Sequence, residues 1–400
     1  MADRHQSDDV VVAEGLFKIF GRSAERAVPK LRAGLSKEAL FEQTGLTVGV
    51  QNASFSVRSG EIFVLMGLSG SGKSTLLRLI NRLIEPTAGT VRIGGRDVTQ
   101  MARRELIALR RQEITMVFQS FALLPNLKVW ENAAFGLAIA GVPRAARRAR
   151  ALQALEQVGL QANADSYPAA LSGGMQQRVG LARALAVDPS ILLMDEAFSA
   201  LDPLIRTEMQ DDLLALQRER QQTVLFVSHD LDEAMRIGDR IAIMQGGSIV
   251  QIGTPEELLA HPANAYVHSF FRGVDIAAVY HAADVVEPAA LTVEQAATPT
   301  PAAALETLRE HHEHVAFVLS ADKTLLGTVT AASLERAINT HASTLGHAYT
   351  DAPTVRADAP LRDIIGAVAG ATYPVAVVDA REKFVGAISH AALLRALVPQ

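Results

Sequence analysis

The sequence has no cysteine, a single tryptophan and no large surplus of either charge. Without cysteine there are no disulfides, zinc–thiolate sites, iron–sulfur clusters or thiol catalysis, and the chain fits a reducing compartment. With 38 basic and 43 acidic residues the net charge is −5, and no basic stripe marks a nucleic-acid footprint. The uncharged stretch from Ile364 to Val378 is broken by Gly366, Gly370 and Pro374 and falls short of the about 20 apolar residues of a membrane-spanning helix. The opening MADRHQSDDV is acidic and lacks the apolar core of a signal peptide. Any membrane role is therefore expected to go through a partner.

What is present is ample. Four hundred residues, 49% of them hydrophobic and 20% charged, suffice for two or three globular domains. Residues 275–400 hold 8 basic and 14 acidic residues and seven of the 11 histidines, leaving 30 basic and 29 acidic residues before them. The Ala/Pro-rich stretch Ala296 to Ala304 follows this shift and reads as a loop or linker. We place the domain boundary near Asp275, giving 1–274 and 275–400.

In the first part, short apolar runs read as buried strands: Ile62–Met66, Ile191–Met194, Thr223–Val227 and Arg240–Met244. Helical patterns such as Ser74–Leu83 and Leu204–Arg220 lie between them, which argues for an α/β layer on a largely parallel sheet. Gly246-Gly247 separates two apolar alternations and predicts a hairpin. In the second part, shifting the sequence by 59 residues aligns the segment starting at Val315 with the one starting at Pro374. Each reads as strand, turn, strand and then a helix with Leu334 and Ile338, or Leu393 and Leu397, on one face; each unit is too small to bury its own face, so the two copies are expected to pack together.

Chemistry concentrates in a few segments. Gly67 to Thr75 reads GLSGSGKST after a strand and before a helix, the context of a phosphate-binding loop. Gly67, Gly70 and Gly72 let backbone N–H groups wrap phosphate oxygens, with Ser69 in the loop and Thr75 at its end. Lys73 is expected to reach the β- and γ-phosphates, and Ser74 to offer its hydroxyl to Mg2+. Ile191–Glu196, ILLMDE, ends a buried strand in two acids. Alone such a pair reads as a cap or solvated turn; beside a phosphate loop, Asp195 fits the magnesium shell and Glu196 the orientation of the attacking water. Leu171–Arg178, LSGGMQQR, offers a second phosphate cradle or else an N-cap serine with a flexible turn. Gln119 and His229 end strand-like runs, where they can reach a metal, a water or a γ-phosphate, or be ordinary polar residues.

Taken in order, these segments resemble the nucleotide-binding subunit of an ATP-binding cassette (ABC) transporter over about residues 11–273. The resemblance implies a P-loop NTPase fold of the ABC type with a helical subdomain at about 121–170. It implies catalytic roles for Glu196, His229, Lys73 and Gln119. ATP would be bound by residues 67–75, by the signature Ser172, Gly173 and Gly174, and by Asp202 of the D-loop Ser199-Ala200-Leu201-Asp202. Mg2+ would be held by Ser74, Gln119 and Asp195. In this family an aromatic residue upstream stacks on adenine, and Phe20 is the candidate, although an inserted segment around Arg22 to Val50 separates it from the loop.

More narrowly, GLSKEALFEQTGL, NRLIEP, VFQSFALLP, VSHDLDEAMRIGDRIAIMQ and FFRGVD resemble the ATP-binding subunits of osmoregulated glycine betaine/L-proline importers. The repeat resembles the tandem CBS module at that family's C-terminus, an α+β unit with copies at about 276–340 and 341–400. Three residues after the strand-ending Thr330 and Ser389 stand Ser333 and Ala392, where adenosyl-binding CBS modules carry Asp, so ribose recognition is not expected there. The resemblance implies a head-to-tail homodimer on a membrane permease, peripheral to the cytoplasmic face of the plasma membrane, and serving a substrate-binding protein indirectly. Ala122–Pro125 would lie near the permease. The competing reading is a non-transport ABC ATPase acting on ribosomes or nucleic acid.

Overall fold

Fully buried five- and six-residue strands alternate with helices through the first part of the chain, as the apolar runs predict. The structure, a computed structural model, describes residues 9–118, 122–199, 201–272, 275–288, 291–350 and 352–397. The chain divides into two units between residues 272 and 273.

The strands of the first unit are β1 (Asp9–Phe20), β2 (Thr47–Arg58), β3 (Ile62–Met66), β4 (Ala88–Ile93), β5 (Arg96–Asp97), β6 (Ile114–Val117), β7 (Ile191–Asp195), β8 (Thr223–Ser228), β9 (Arg240–Gln245) and β10 (Ser248–Gly253). They form an antiparallel sheet ordered β2-β1-β4-β5 and a larger sheet ordered β10-β9-β3-β8-β7-β6. Within the larger sheet β6, β7, β8, β3 and β9 run parallel, and only β10 is antiparallel, returning through the Gly246-Gly247 turn. Stacked rings of Phe55 and Phe63, 5.2 Å apart, join the two sheets over a core that includes Leu65, Leu76, Leu193 and Leu225.

The inserted segment is an excursion at the tip of the β1–β2 hairpin. Phe20 pairs with Thr47, and residues between them form short helices around Leu31 and Leu40 with a small core of their own. The helical region carries Val129–Ala133, Phe135–Ile139, Arg144–Gln157 and Gly173–Leu185. Its entry loop is fixed by the buried side chain of Asn132, which accepts from the N–H of Leu124 and donates to the carbonyls of Leu124 and Leu127. Ala122 and Pro125 are exposed and Leu123 and Leu124 half-buried; Phe121 lies outside the described residues.

The second unit shows the 59-residue repeat as two sheets of identical order. The first joins β11 (Thr292–Glu294), β12 (Val315–Leu319) and β13 (Leu325–Thr330); the second joins β14 (Thr354–Arg356), β15 (Val375–Val378) and β16 (Phe384–Ile388). Thr324 bridges Lys383, its own counterpart in the repeat, with Leu325 N–H donating to Glu382 O and Phe384 N–H donating to Lys323 O. The copies therefore meet about a local two-fold axis, over Phe317, Ala376, Ala387 and Phe384. Each copy also lends a strap to the other: Glu287 pairs with Ala387, and Thr350 with Thr328. Equivalent glycines make room, since a Cβ at Gly327 would lie 2.7 Å from the Tyr349 ring and one at Gly386 2.5 Å from Glu287 O.

Two readings need correction. The Ala/Pro-rich stretch is a loop only as far as Thr300: Thr298 is buried and Thr300 caps a helix starting at Pro301, because proline suits the first helical position and the alanines continue the turn. Ile338, expected on the buried helix face, is exposed, whereas Leu334 carries the contact.

Candidate functional site

Strand register decides where the chemistry gathers. Met66 pairs with Ser228 and Asp195 with Val227, so the phosphate loop, His229 and Glu196 all leave the sheet at one carboxyl edge, where α/β folds bind ligands. β6 ends at Val117 opposite Met194 on the same side, but Gln119 lies outside the described residues, as does Ala200.

The phosphate loop is tight and backbone-lined. Gly72 adopts φ 99°, and a Cβ there would collide with the carbonyl of Gly49, so only glycine fits. The turn of Gly247 braces the loop from outside, its N–H donating to Ser71 O. Lys73 opens the following helix, and its ammonium donates to the carbonyls of Gly67 at 2.8 Å and Leu68 at 3.2 Å. Burial pulls its pKa below the ordinary lysine value, and the carboxylates of Glu196 and Asp195 partly restore it. That response brings Lys73 and both acids into one electrostatic neighbourhood. Ser74 and Thr75 follow on the first turn, half-buried; Ser69 and Gly70 are exposed.

Asp195 is buried at the end of β7 and accepts from Arg78 at 3.0 Å, a partner reached across 117 residues that motif reading does not reveal. Glu196 has φ 47°, a left-handed turn that costs on the order of 1 kcal/mol for a residue with a Cβ and swings its side chain away from the strand direction. Its Oε2 lies 3.4 Å from His229 Nδ1, and the imidazole is 55% exposed while the carboxylate is 20% exposed. The imidazole thus faces outward, with the half-buried carboxylate behind it. Hydrogen bonds to the Glu196 carbonyl from Ser199 N–H and Oγ hold the turn.

Phe20, 42% exposed, lies against Gly49 beside Thr75, with the Lys18 ammonium 5.1 Å from its ring. The β1–β2 pairing brings it to the phosphate loop despite the insertion. Ser172 caps the Gly173–Leu185 helix, accepting from Met175 N–H, and Gly174 packs on Ile205. Asp202 caps the Pro203–Arg220 helix through Ile205 N–H.

A glycine-rich loop, a buried acid, a half-buried acid and an imidazole thus gather at one edge of a parallel sheet. The chain is 53% identical over 96% of both sequences to the glycine betaine/proline betaine transport system ATP-binding protein ProV of Escherichia coli (strain K12). The chain belongs to the ABC transporter ATP-binding proteins. The ABC transporter family profile matches residues 50–199 and the CBS domain profile residues 347–399. Other relatives of this ABC subunit include the glycine betaine/carnitine transport ATP-binding protein GbuA of Listeria monocytogenes, 48% identical over 97% of each chain. The glycine betaine transport ATP-binding protein OpuAA of Bacillus subtilis is 46% identical over 97% of this chain and 92% of its own.

A solved dimeric ATP-binding cassette in a post-hydrolysis state, bound to ADP and Pi, superposes at TM-score 0.52 with 32% identity. It covers 61% of this chain and 98% of that one. The ABC subunit is an ATPase by family and by fold, and cassettes of its kind form dimers. Its relatives are transport subunits, and the ribosome or nucleic-acid reading finds no support. Among the described residues no helix is long and apolar enough to cross a membrane.

In the second unit, Thr330 and Ser333 cap one another, each hydroxyl accepting from the other's N–H at 3.1 and 2.9 Å. Ser389 accepts from Ala392 N–H and donates to Glu287. Both strand-ending hydroxyls serve local caps.

Proposed function

We propose that this chain hydrolyses ATP to drive import of glycine betaine, L-proline or a related compatible solute through a partner permease. Likeness to betaine transport subunits across nearly the full chain supports the solute class, and the carboxyl-edge cluster of Lys73, Asp195, Glu196 and His229 supports the reaction.

The donor chemistry fits magnesium, because a serine hydroxyl and a buried carboxylate are hard oxygen ligands. Ser74, Asp195 and Gln119 would hold the ion, which supplies charge neutralisation between the phosphates. Lys73 and the N–H groups of residues 67–75 hold the β- and γ-phosphates, and Phe20 stacks on the adenine. Glu196 accepts the proton of the attacking water, and His229 orients the γ-phosphate. Ser172, Gly173, Gly174 and Asp202 of a second copy close the site in a head-to-tail pair. Closure moves the helical regions together, and the Ala122–Pro125 segment passes that motion to the permease at the cytoplasmic face of the plasma membrane. Specificity then resides in the permease and its binding protein. The CBS unit, net −6, regulates turnover or pairs the subunits.

The test is uptake of labelled glycine betaine at high osmolality in cells lacking their own subunit. Restored uptake with this chain supports the reading. Normal expression without uptake assigns the ATPase to another solute.

A further inference from the structure

His229 is exposed, so its orientation depends on the backbone that carries it, and both flanking residues are tied down. Ser228 Oγ accepts from Asp230 N–H at 3.0 Å and also donates to the buried carboxylate of Glu233. Asp230 spends one carboxylate oxygen capping the next helix through Glu233 N–H at 3.1 Å. Its other oxygen accepts from Arg206 at 2.9 Å.

Arg206 stands on the helix that follows the Glu196 turn, and it also donates to the carbonyl of Leu201 at 3.3 Å. Gln210, one turn further along, donates to Glu233 at 3.2 Å. The connections form a ring. On its open side Glu196 faces His229 across 3.4 Å; on its closed side Arg206 joins Leu201, five residues after Glu196, to the loop that carries His229.

We infer that Arg206, Asp230 and Glu233 are positioning residues that set the separation of Glu196 and His229. None of them needs to touch nucleotide, and the inference rests on the roles proposed for Glu196 and His229. Polar circuits of this kind act as units, so loss of one member releases the others. The effect expected is on the chemical step: nucleotide still meets an intact phosphate loop, while the two groups at its edge lose their fixed spacing.

The test uses the purified full chain carrying Arg206→Met, Asp230→Asn or Glu233→Gln, each alone and combined with His229→Ala. ATP turnover, ATP affinity and thermal unfolding are measured together. Asp230→Asn keeps the helix cap but removes the ionic partner of Arg206, so it carries the test if another variant loses its fold. In the unaltered background turnover should fall about tenfold, the scale of one charge-assisted hydrogen bond, with ATP affinity within about twofold. With His229→Ala already present, the second substitution should add nothing, because coupled residues are not additive. An equal further loss in that background, or a parallel loss of affinity, overturns the inference. If His229→Ala alone leaves turnover unchanged, the role proposed for His229 fails first and the inference falls with it.

Discussion

The ring of Phe20 occupies the space that a side chain on Gly49 would fill: a Cβ at residue 49 would lie 2.7 Å from Phe20 Cε2 and 3.4 Å from Thr75 Cγ2. Glycine at 49 is thus part of how the ring reaches the phosphate loop. Phe20→Ala should weaken ATP binding by about 5- to 150-fold, since stacking of a base on an aromatic ring contributes about 1–3 kcal/mol. Gly49→Ala should weaken it in the same direction by displacing the ring, and the double variant should be no worse than Phe20→Ala. Titration with a fluorescent ATP analogue measures all three. Unchanged affinity in Phe20→Ala removes the stacking role.

Glu233 gives a pH signature separate from turnover. Burial pushes its carboxyl above the ordinary value of 4.5, and Asp230 adds to the push. The hydrogen bonds from Ser228 and Gln210 and the charge of Arg206 oppose it. The folded chain therefore keeps this proton to higher pH than the unfolded chain does. Its contribution to stability is fully present below about 4.5 and is lost as pH rises through the folded value. Glu233→Gln cannot ionise, so its melting temperature should gain on that of the unaltered chain across this interval. Parallel melting curves contradict the buried assignment.

The repeat glycines should both resist a side chain. Gly386→Ala drives a methyl against the backbone carbonyl of Glu287, and Gly327→Ala drives one against Cγ and Cδ2 of the Tyr349 ring; each should cost about 1–3 kcal/mol, the range for overpacking. Denaturant unfolding of both variants checks this; equal stability to the unaltered chain would contradict the crossed straps.

Much of the site was legible because its signals are local. Residues 67–75, the ILLMDE acids and the strand before His229 each carry their meaning within a strand and a turn, and the parallel register then brings them to one edge. The 59-residue shift was legible for the same reason, and it foresaw the packing that Thr324 and Lys383 make at the axis. What could not be read were partners far away in sequence. Arg78 meets Asp195 across 117 residues and Arg206 meets Asp230 across 24, and no spacing rule connects either pair. The second half of the Ala296–Ala304 stretch misled because proline and alanine read as a linker by composition, while Thr300 before Pro301 caps a helix there.

The most direct measurement of the central claim is the mass and phosphate release of the Glu196→Gln chain with ATP and Mg2+. Removing a general base costs about 100- to 10,000-fold in rate, while the Lys73 loop remains whole. The variant should bind ATP, release almost no phosphate and sediment as a dimer. Near-normal phosphate release, or a variant that binds ATP yet stays monomeric, would contradict the claim.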